Sequence, residues 1–221
     1  MIQILNMKKL LLLFTSRSIM KILKKALLLV TILFVTILNN TANAMEESLK
    51  ESCNNNNYMK ACSMLALFYI DEDGPLDKDV SKALKLFKKA CNGNWASGCH
   101  NAGYMYNAGI GVEQDLYEAK WYYQKACREG YPRSCADLAI FYIEGYAVDK
   151  DDFKAVEFAE KSCDGDFGQG CHILGGLYER GMGVRKNLCS SLHFYGKACD
   201  NKYSTGCSNY ARILDETKGD C

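Results

Sequence analysis

The cysteines of this 221-residue chain recur in register. Cys91 and Cys99, Cys127 and Cys135, Cys163 and Cys171, and Cys199 and Cys207 each read C-x7-C, and successive pairs are offset by 36 residues. Cys53 and Cys62 lead them with one extra residue inside the pair. A fixed period of this length specifies a stack of small supersecondary units, each burying its apolar face against its neighbours, rather than one compact core.

Two helical patterns alternate between the cysteines. One starts at the second cysteine of each pair: CSMLALFYI, CHNAGYMYNAG, CADLAIFYIEG, CHILGGLYERG and CSNYARILDE. These A helices run into glycine-containing loops such as Gly109-Ile110-Gly111-Val112 and Gly181-Met182-Gly183-Val184, where glycine supplies the left-handed conformation that stops a helix. The other pattern leads into the first cysteine: VSKALKLFKKAC, LYEAKWYYQKAC, FKAVEFAEKSC and LCSSLHFYGKAC. Asp79, Asp115, Asp151 or Asp152, and Asn187 stand at the starts of these B helices as N-caps. Glu46 to Cys53 reads as a shortened B helix. The fold class is therefore all-α, a solenoid of helix-turn-helix repeats with about nine helices after residue 44 and almost no strand. The only prolines, Pro75 and Pro132, fall at expected loops.

Aligning the repeats on one another separates core from surface. The fourth A position reads Leu65, Ala102, Leu138, Leu174 and Tyr210, and the fifth is always small: Ala66, Gly103, Ala139, Gly175 and Ala211. The eighth is Tyr69, Tyr106, Tyr142 and Tyr178. The small residue admits a close neighbour, and the tyrosine three positions on shares its face and offers a flat ring to the interior. B helices repeat Ala83, Ala119, Ala155 and Ser191, followed four residues later by Phe87, Tyr123, Ala159 and Tyr195.

The first 44 residues read as a secretory signal. Ala26 to Leu38 runs 13 residues without a charge, too short to span a bilayer and suited to the core of an export signal. Lys21, Lys24 and Lys25 precede it, and Ala42-Asn43-Ala44 supplies a small-x-small cleavage site before Met45. Met20 opens a normal basic segment, MKILKK, and is an alternative start; an uncleaved anchor is the competing reading. The domain division is thus 1–44 as signal and 45–221 as the repeat domain. The signal carries six Lys/Arg and no acid, which leaves 21 basic against 26 acidic residues in the remainder. Such a surface lacks the clustered cations that nucleic-acid binding requires.

Twelve cysteines behind an export signal read as disulfides formed in an oxidising compartment. Structural zinc wants close ligand pairs such as C-x2-C, which do not occur, so no metal is expected. Each cysteine pair spans the turn from a B helix into the next A helix. Bridging as Cys53–Cys62, Cys91–Cys99, Cys127–Cys135, Cys163–Cys171 and Cys199–Cys207 locks adjacent antiparallel helices, each short loop contributing about 2–3 kcal/mol on the chain-entropy account. Cys189 and Cys221 remain. One period back from Cys221 is Arg185, a helical turn before Cys189, so a Cys189–Cys221 bond between adjacent repeats is one reading, with free or intermolecular thiols the other.

The strings AGYMYNAGIGVEQDLYEAKWYYQKAC and LGGLYERGMGVRKNLCSSLHFYGKAC resemble Sel1-like repeats, helix-turn-helix relatives of tetratricopeptide repeats. With C-x7-C at a period of 36, the chain resembles the Helicobacter cysteine-rich protein family over residues 46–221. The third repeat departs from the pattern, with Gly145-Tyr146-Ala147-Val148 in place of Gly-x-Gly-Val, and a differently shaped loop is expected there. The resemblance implies penicillin binding with slow β-lactamase activity; other Sel1-like proteins act as adaptors that hold peptides or assemble complexes.

The residues themselves carry little catalytic chemistry. A serine β-lactamase uses S-x-x-K, and the one match, Ser18 to Lys21, lies in the signal; S-D-N and K-T-G are absent. His100 and His172 follow equivalent cysteines two repeats apart, roughly 20 Å from one another at ordinary helix spacing, and are expected to be polar surface residues. His193 lies on a B helix near sequence neighbours only. Lys89, Lys125, Lys161 and Lys197 recur two residues before each B-helix cysteine, where a cation suits the negative end of the helix.

A binding face is easier to read. Positions three, six and ten of the A helices share one side and vary between repeats. They place Asn101, Tyr104, Asp137, Glu144, Arg180, Asn209 and Arg212 as candidate ligand contacts on the concave side, with Met64, Leu67, Ile140, Ile173 and Gly176 among them. The expectation is an exported, secreted or periplasmic monomer, free of cofactor and of membrane once the signal is cut. It holds an extended peptide or protein partner on that face. The alternative is binding and slow hydrolysis of a β-lactam or cell-wall-like small molecule.

Overall fold

The computed structural model describes the backbone of residues 2–54 and 58–221, with side chains from residue 20 onward in those ranges. The chain divides into two units, residues 1–48 and 49–221. The first is a single helical stretch belonging to α1 (Ile2–Asn54). Its Met20–Asn54 part is long and apolar enough to cross a membrane by length and composition, and Leu27 to Leu38 present their apolar side chains outward.

The second unit holds the end of α1 and nine further helices: α2 (Met59–Ile70), α3 (Val80–Asn92), α4 (Ala96–Ala108), α5 (Leu116–Arg128), α6 (Pro132–Glu144), α7 (Asp152–Asp164), α8 (Gly168–Arg180), α9 (Leu188–Asp200) and α10 (Ser204–Glu216). No strand occurs among the described residues. The even-numbered helices α2 to α10 are the A helices and α3 to α9 the B helices. Each packs on its sequence neighbours. In addition α2 touches α4, α6 touches α8 and α8 touches α10, whereas B helices approach one another less closely. The A layer is therefore the inner side of the stack.

Local chemistry explains the boundaries. Asp79 accepts a hydrogen bond from the amide of Lys82, Asp115 from Tyr117 and Glu118, Asp151 from Lys154, and Asn187 from Ser190, satisfying otherwise orphaned donors in the first turn of each B helix. Lys89, Lys125, Lys161 and Lys197 sit in the last turns of the same helices, where their charge opposes the helix dipole. The B-to-A turn demands a left-handed residue at one register position, filled by Asn94, Gly130, Asp166 and Lys202. A helices α4, α6 and α8 end on left-handed Gly109, Gly145 and Gly181. The third loop is not reshaped: Ala147 takes φ 52° where Gly111 and Gly183 have 68° and 66°. The backbone path is imposed by the repeat, and alanine tolerates it.

Disulfides join Cys53–Cys62, Cys91–Cys99, Cys127–Cys135, Cys163–Cys171, Cys199–Cys207 and Cys189–Cys221. The solenoid is thus cross-linked at every B-to-A turn. Between the bridges, Leu65, Ala102, Leu138 and Leu174 are buried. The fourth position fails at Tyr210, which is 37% exposed, and Ala211 beside it is exposed too, because among the described residues no helix packs on that side of α10. Elsewhere the eighth-position tyrosines stack on the following B helix: Tyr106 on Tyr122 with ring centroids 5.7 Å apart, Tyr142 on Phe158 at 5.5 Å, and Tyr178 on Phe194 at 5.4 Å.

Candidate binding site on the A helices

The inner faces of α6, α8 and α10 enclose a cavity of about 390 Å³ lined by Ile140, Ile143, Glu144, His172, Ile173, Gly176, Glu179, Arg180, Tyr195, Asn209 and Arg212. Four of the seven candidate ligand contacts, Glu144, Arg180, Asn209 and Arg212, meet there, together with the variable positions Ile140, Ile173 and Gly176. Ile140, Ile143 and Ile173 give it an apolar wall. A methyl group at position 176 would lie 3.5 Å from both an Arg180 Nη and the Tyr195 hydroxyl, so the bare glycine keeps the floor open between them.

One side of the cavity is fixed by a charged network. Arg212 donates through Nη2 to both carboxylate oxygens of Glu179, at 2.8 and 2.9 Å, and the Tyr195 hydroxyl donates to Glu179 Oε2 at 2.7 Å. Burial would raise the Glu179 carboxyl, but these donors and the arginine charges outweigh it and hold it below the ordinary carboxylate range. Burial and the bond to Glu179 push the Tyr195 phenol well above its usual value, so it stays a donor. On the other side, Glu144 and Arg180 stand one repeat apart without pairing; Arg180 Nε points to Met182 Sδ at 3.2 Å. The cavity thus offers a locked ion pair, an apolar wall and two charges open to a ligand.

The histidines explain how this face is built. His172 packs between Tyr195 and Tyr203, with centroids 5.4 and 5.1 Å away, and its Nδ1 lies 3.5 Å from Asn209 Nδ2. Burial lowers its pKa. Two repeats earlier the same sandwich holds His100 between Tyr123 and Tyr131, at 5.6 and 5.1 Å. His100 is 5% exposed, which corrects the expectation of a surface residue. The position after the A-helix cysteine faces the next B helix, and an imidazole fills the gap beside its tyrosine.

Asp137 occupies the register of Asn209, and its Oδ2 lies 3.5 Å from His100 Nδ1, which is 2.9 Å from Ser134 Oγ. Burial pushes the Asp137 carboxyl up to about 6 and, with Arg133 nearby, lowers His100 to about 4. Serine, histidine and aspartate here have the composition of a nucleophilic triad without its order. Both oxygens approach the same imidazole nitrogen, and Ser134 is fully buried, so no substrate reaches its hydroxyl. The group is a packing element.

Asn101, Tyr104 and Asp137 lie outside the cavity lining; Tyr104 is exposed and Asn101 half-buried. Glu179, His172, Ile143 and Tyr195 were missed by the sequence reading. The first three stand at A positions nine and two, the next column of the same helical side. Position nine, with Ile70, Asn107, Ile143, Glu179 and Asp215, varies as freely as the columns that were read. That variation was the available signal. Tyr195 was read as core, and its ring is; its hydroxyl reaches the cavity.

Comparison with known proteins agrees with this architecture. The Sel1 repeat family model matches residues 60–95, 96–131, 132–167 and 168–203. The chain is 25% identical to the Sel1 repeat protein from Oxalobacter formigenes, covering 76% of this chain and 66% of that one at a TM-score of 0.69. It is 25% identical to c5321, a protective antigen of uropathogenic Escherichia coli with the same kind of repeat fold, covering 79% of this chain and 37% of that one at a TM-score of 0.73. It thus spans less than two thirds of either relative's length. Helicobacter pylori cysteine rich protein B is 30% identical over 58% of this chain and 96% of that one, at a TM-score of 0.48. A search of curated proteins returns no match. With four consecutive matched repeats spanning most of a disulfide-linked helical stack, this chain belongs to the Sel1 repeat family.

Proposed function

We propose that the protein is an exported Sel1 repeat scaffold that holds an extended peptide, or an extended segment of a protein partner, on the inner face of its A helices. The observation that carries this is the cavity between α6, α8 and α10. It joins an apolar wall to the unpaired Glu144 and Arg180, beside the fixed Arg212–Glu179 pair. Apolar contact supplies affinity, while preset charges fix the register of a bound chain. Export is supported by the apolar N-terminal segment and by cysteines paired as in an oxidising compartment, with cleavage before Met45 and a secreted or periplasmic destination.

The test is a peptide selection against the oxidised protein, followed by titration of the best binder against variants. Gly176→Arg fills the cavity floor, and binding is expected to fall at least tenfold. Glu157→Lys on the B layer, where Glu157 is exposed, is expected to leave affinity unchanged. Equal loss in both, or none in either, contradicts the reading. A parallel incubation with a chromogenic cephalosporin separates the enzymatic alternative: turnover above that of the reduced, unfolded protein would replace the binder reading.

A further inference from the structure

Four of the disulfides are buried at both cysteines, and Cys199–Cys207 is half-buried. Cys189–Cys221 is exposed at both. It also sits in a different place. The bridges at the C-x7-C turns join the end of a B helix to the fourth residue of the following A helix, whereas Cys189 is the second residue of α9. Cys221 belongs to the segment after α10, in which residues 218–221 are all exposed.

The repeat register explains what this bond does. In the loops after α4 and α8, Gly111 lies tightly against Val80 at the start of α3, and Gly183 against Asp152 at the start of α7. Gly219 holds the corresponding place after α10 and has nothing within 4 Å of where its side chain would be. The contact that packing makes in the interior loops is replaced here by a covalent tether to the start of α9. Breaking it releases a segment without disturbing any buried side chain.

We propose that Cys189–Cys221 is a thiol-exchange site, the one disulfide of this protein that an external dithiol or the thiolate of a partner protein opens. The attacking thiolate bonds to Cys221 Sγ, the bond between the two protein sulfurs breaks, and its electron pair leaves on Cys189 Sγ as thiolate. The direction follows from the surroundings. Cys189 stands in the first turn of a 13-residue helix, where the helix dipole and the amides left beside the Asn187-capped Ser190 N–H stabilise a departing thiolate, while Cys221 lies in no helix. With a monothiol the product is a mixed disulfide on Cys221. With a dithiol, the second thiolate attacks the reagent sulfur of that mixed disulfide and releases Cys221 as thiolate. The dithiol is then oxidised to its own disulfide and the protein has gained two electrons. Residues 217–221 are freed, and the five bridges of the stack remain closed.

The test is a time course of the oxidised protein with reduced glutathione, quenched in acid and mapped by peptide mass spectrometry. The expected first adduct is glutathione on Cys221 with Cys189 free, forming at least tenfold faster than any adduct on the other ten cysteines, with the helical circular dichroism unchanged. The double variant Cys189→Ser, Cys221→Ser is expected to fold with five bridges and to stay unmodified over the same period. A first adduct on a C-x7-C cysteine, a first adduct on Cys189, or simultaneous opening of several bridges each overturns the proposal.

Discussion

The ring of Tyr195 lies directly against Gly175: a Cβ built on that glycine would approach Tyr195 Cδ1 to 2.8 Å. The same pair recurs two repeats earlier, where a Cβ on Gly103 would come within 2.9 Å of Tyr123 Cδ1. Small residues at the fifth A position are therefore not interchangeable. At the matching B-helix position Ala66 shares its core cluster with Phe87 and Ala139 with Ala159, whereas Gly103 and Gly175 lie against a tyrosine ring.

Gly175→Ala is expected to destabilise the protein by about 1–2 kcal/mol, overpacking outweighing the roughly 1 kcal/mol that alanine gains over glycine in a helix. It also displaces the hydroxyl that Tyr195 donates to Glu179, so ligand affinity falls with stability. Chemical denaturation of the variant beside Ala139→Gly separates the causes. The latter loses helix propensity and one buried methyl without moving Tyr195, and leaves affinity unchanged.

The Glu179 network yields a second outcome. Arg212→Ala leaves the carboxylate with the Tyr195 hydroxyl as its side-chain donor and removes one charge from the cavity. Glu179 is only partly exposed, so the loss is expected to lie near 1 kcal/mol in stability, toward the upper end for a surface pair. Peptide affinity is expected to fall several-fold. Glu179→Gln with Arg212 intact leaves that guanidinium with Glu216, 3.7 Å away, as its acidic neighbour and shifts preference toward acidic peptides. Isothermal titration with matched acidic and neutral peptides reads both effects.

Buried His100 and Asp137 make opposing contributions to pH dependence. Asp137 has its folded pKa raised to about 6 from 3.8, so it favours the folded state at low pH and loses that contribution as pH rises through this interval. His100 has its folded pKa lowered to about 4 from 6.5, so its contribution is present above pH 6.5 and is lost as pH falls toward 4. In the native protein the two slopes largely cancel between pH 4 and 6. Asp137→Asn leaves the histidine alone, and stability is then expected to drop on acidification from pH 6.5 to 4 by up to about 3 kcal/mol more than in the native protein. Denaturation midpoints of both proteins at pH 4.5 and 7 check this; parallel slopes would contradict it.

Ala147, at φ 52°, stands where two other loops carry glycine. Ala147→Gly removes the strain of a left-handed alanine, about 1 kcal/mol, and gives part of it back as unfolded-chain entropy. A small rise in the unfolding midpoint is expected, with no change in binding.

The architecture was legible because the repeat carries its own controls. The caps Asp79, Asp115, Asp151 and Asn187, the glycine stops and the cysteine period each constrain the same boundaries, and the structure agrees with them. The site was half legible. Glu144, Arg180, Asn209 and Arg212 were found because a helical face repeats with a known spacing. Glu179 and His172 were not, because a cavity between three helices draws on more than one column of each. His100 looked like a surface residue since its sequence context is polar. Only the packing of Tyr123 and Tyr131 around it shows that it is enclosed. No pattern along a single chain reports which side chains of different repeats converge.

The central claim, that the A layer grips an extended chain, is tested most directly by hydrogen–deuterium exchange of the oxidised protein with and without a saturating selected peptide. Slowed exchange concentrated in α6, α8 and α10, around residues 140–144, 173–180 and 209–212, is the result this account predicts. Protection centred on the B helices α5, α7 and α9, or spread evenly over the stack, would contradict it.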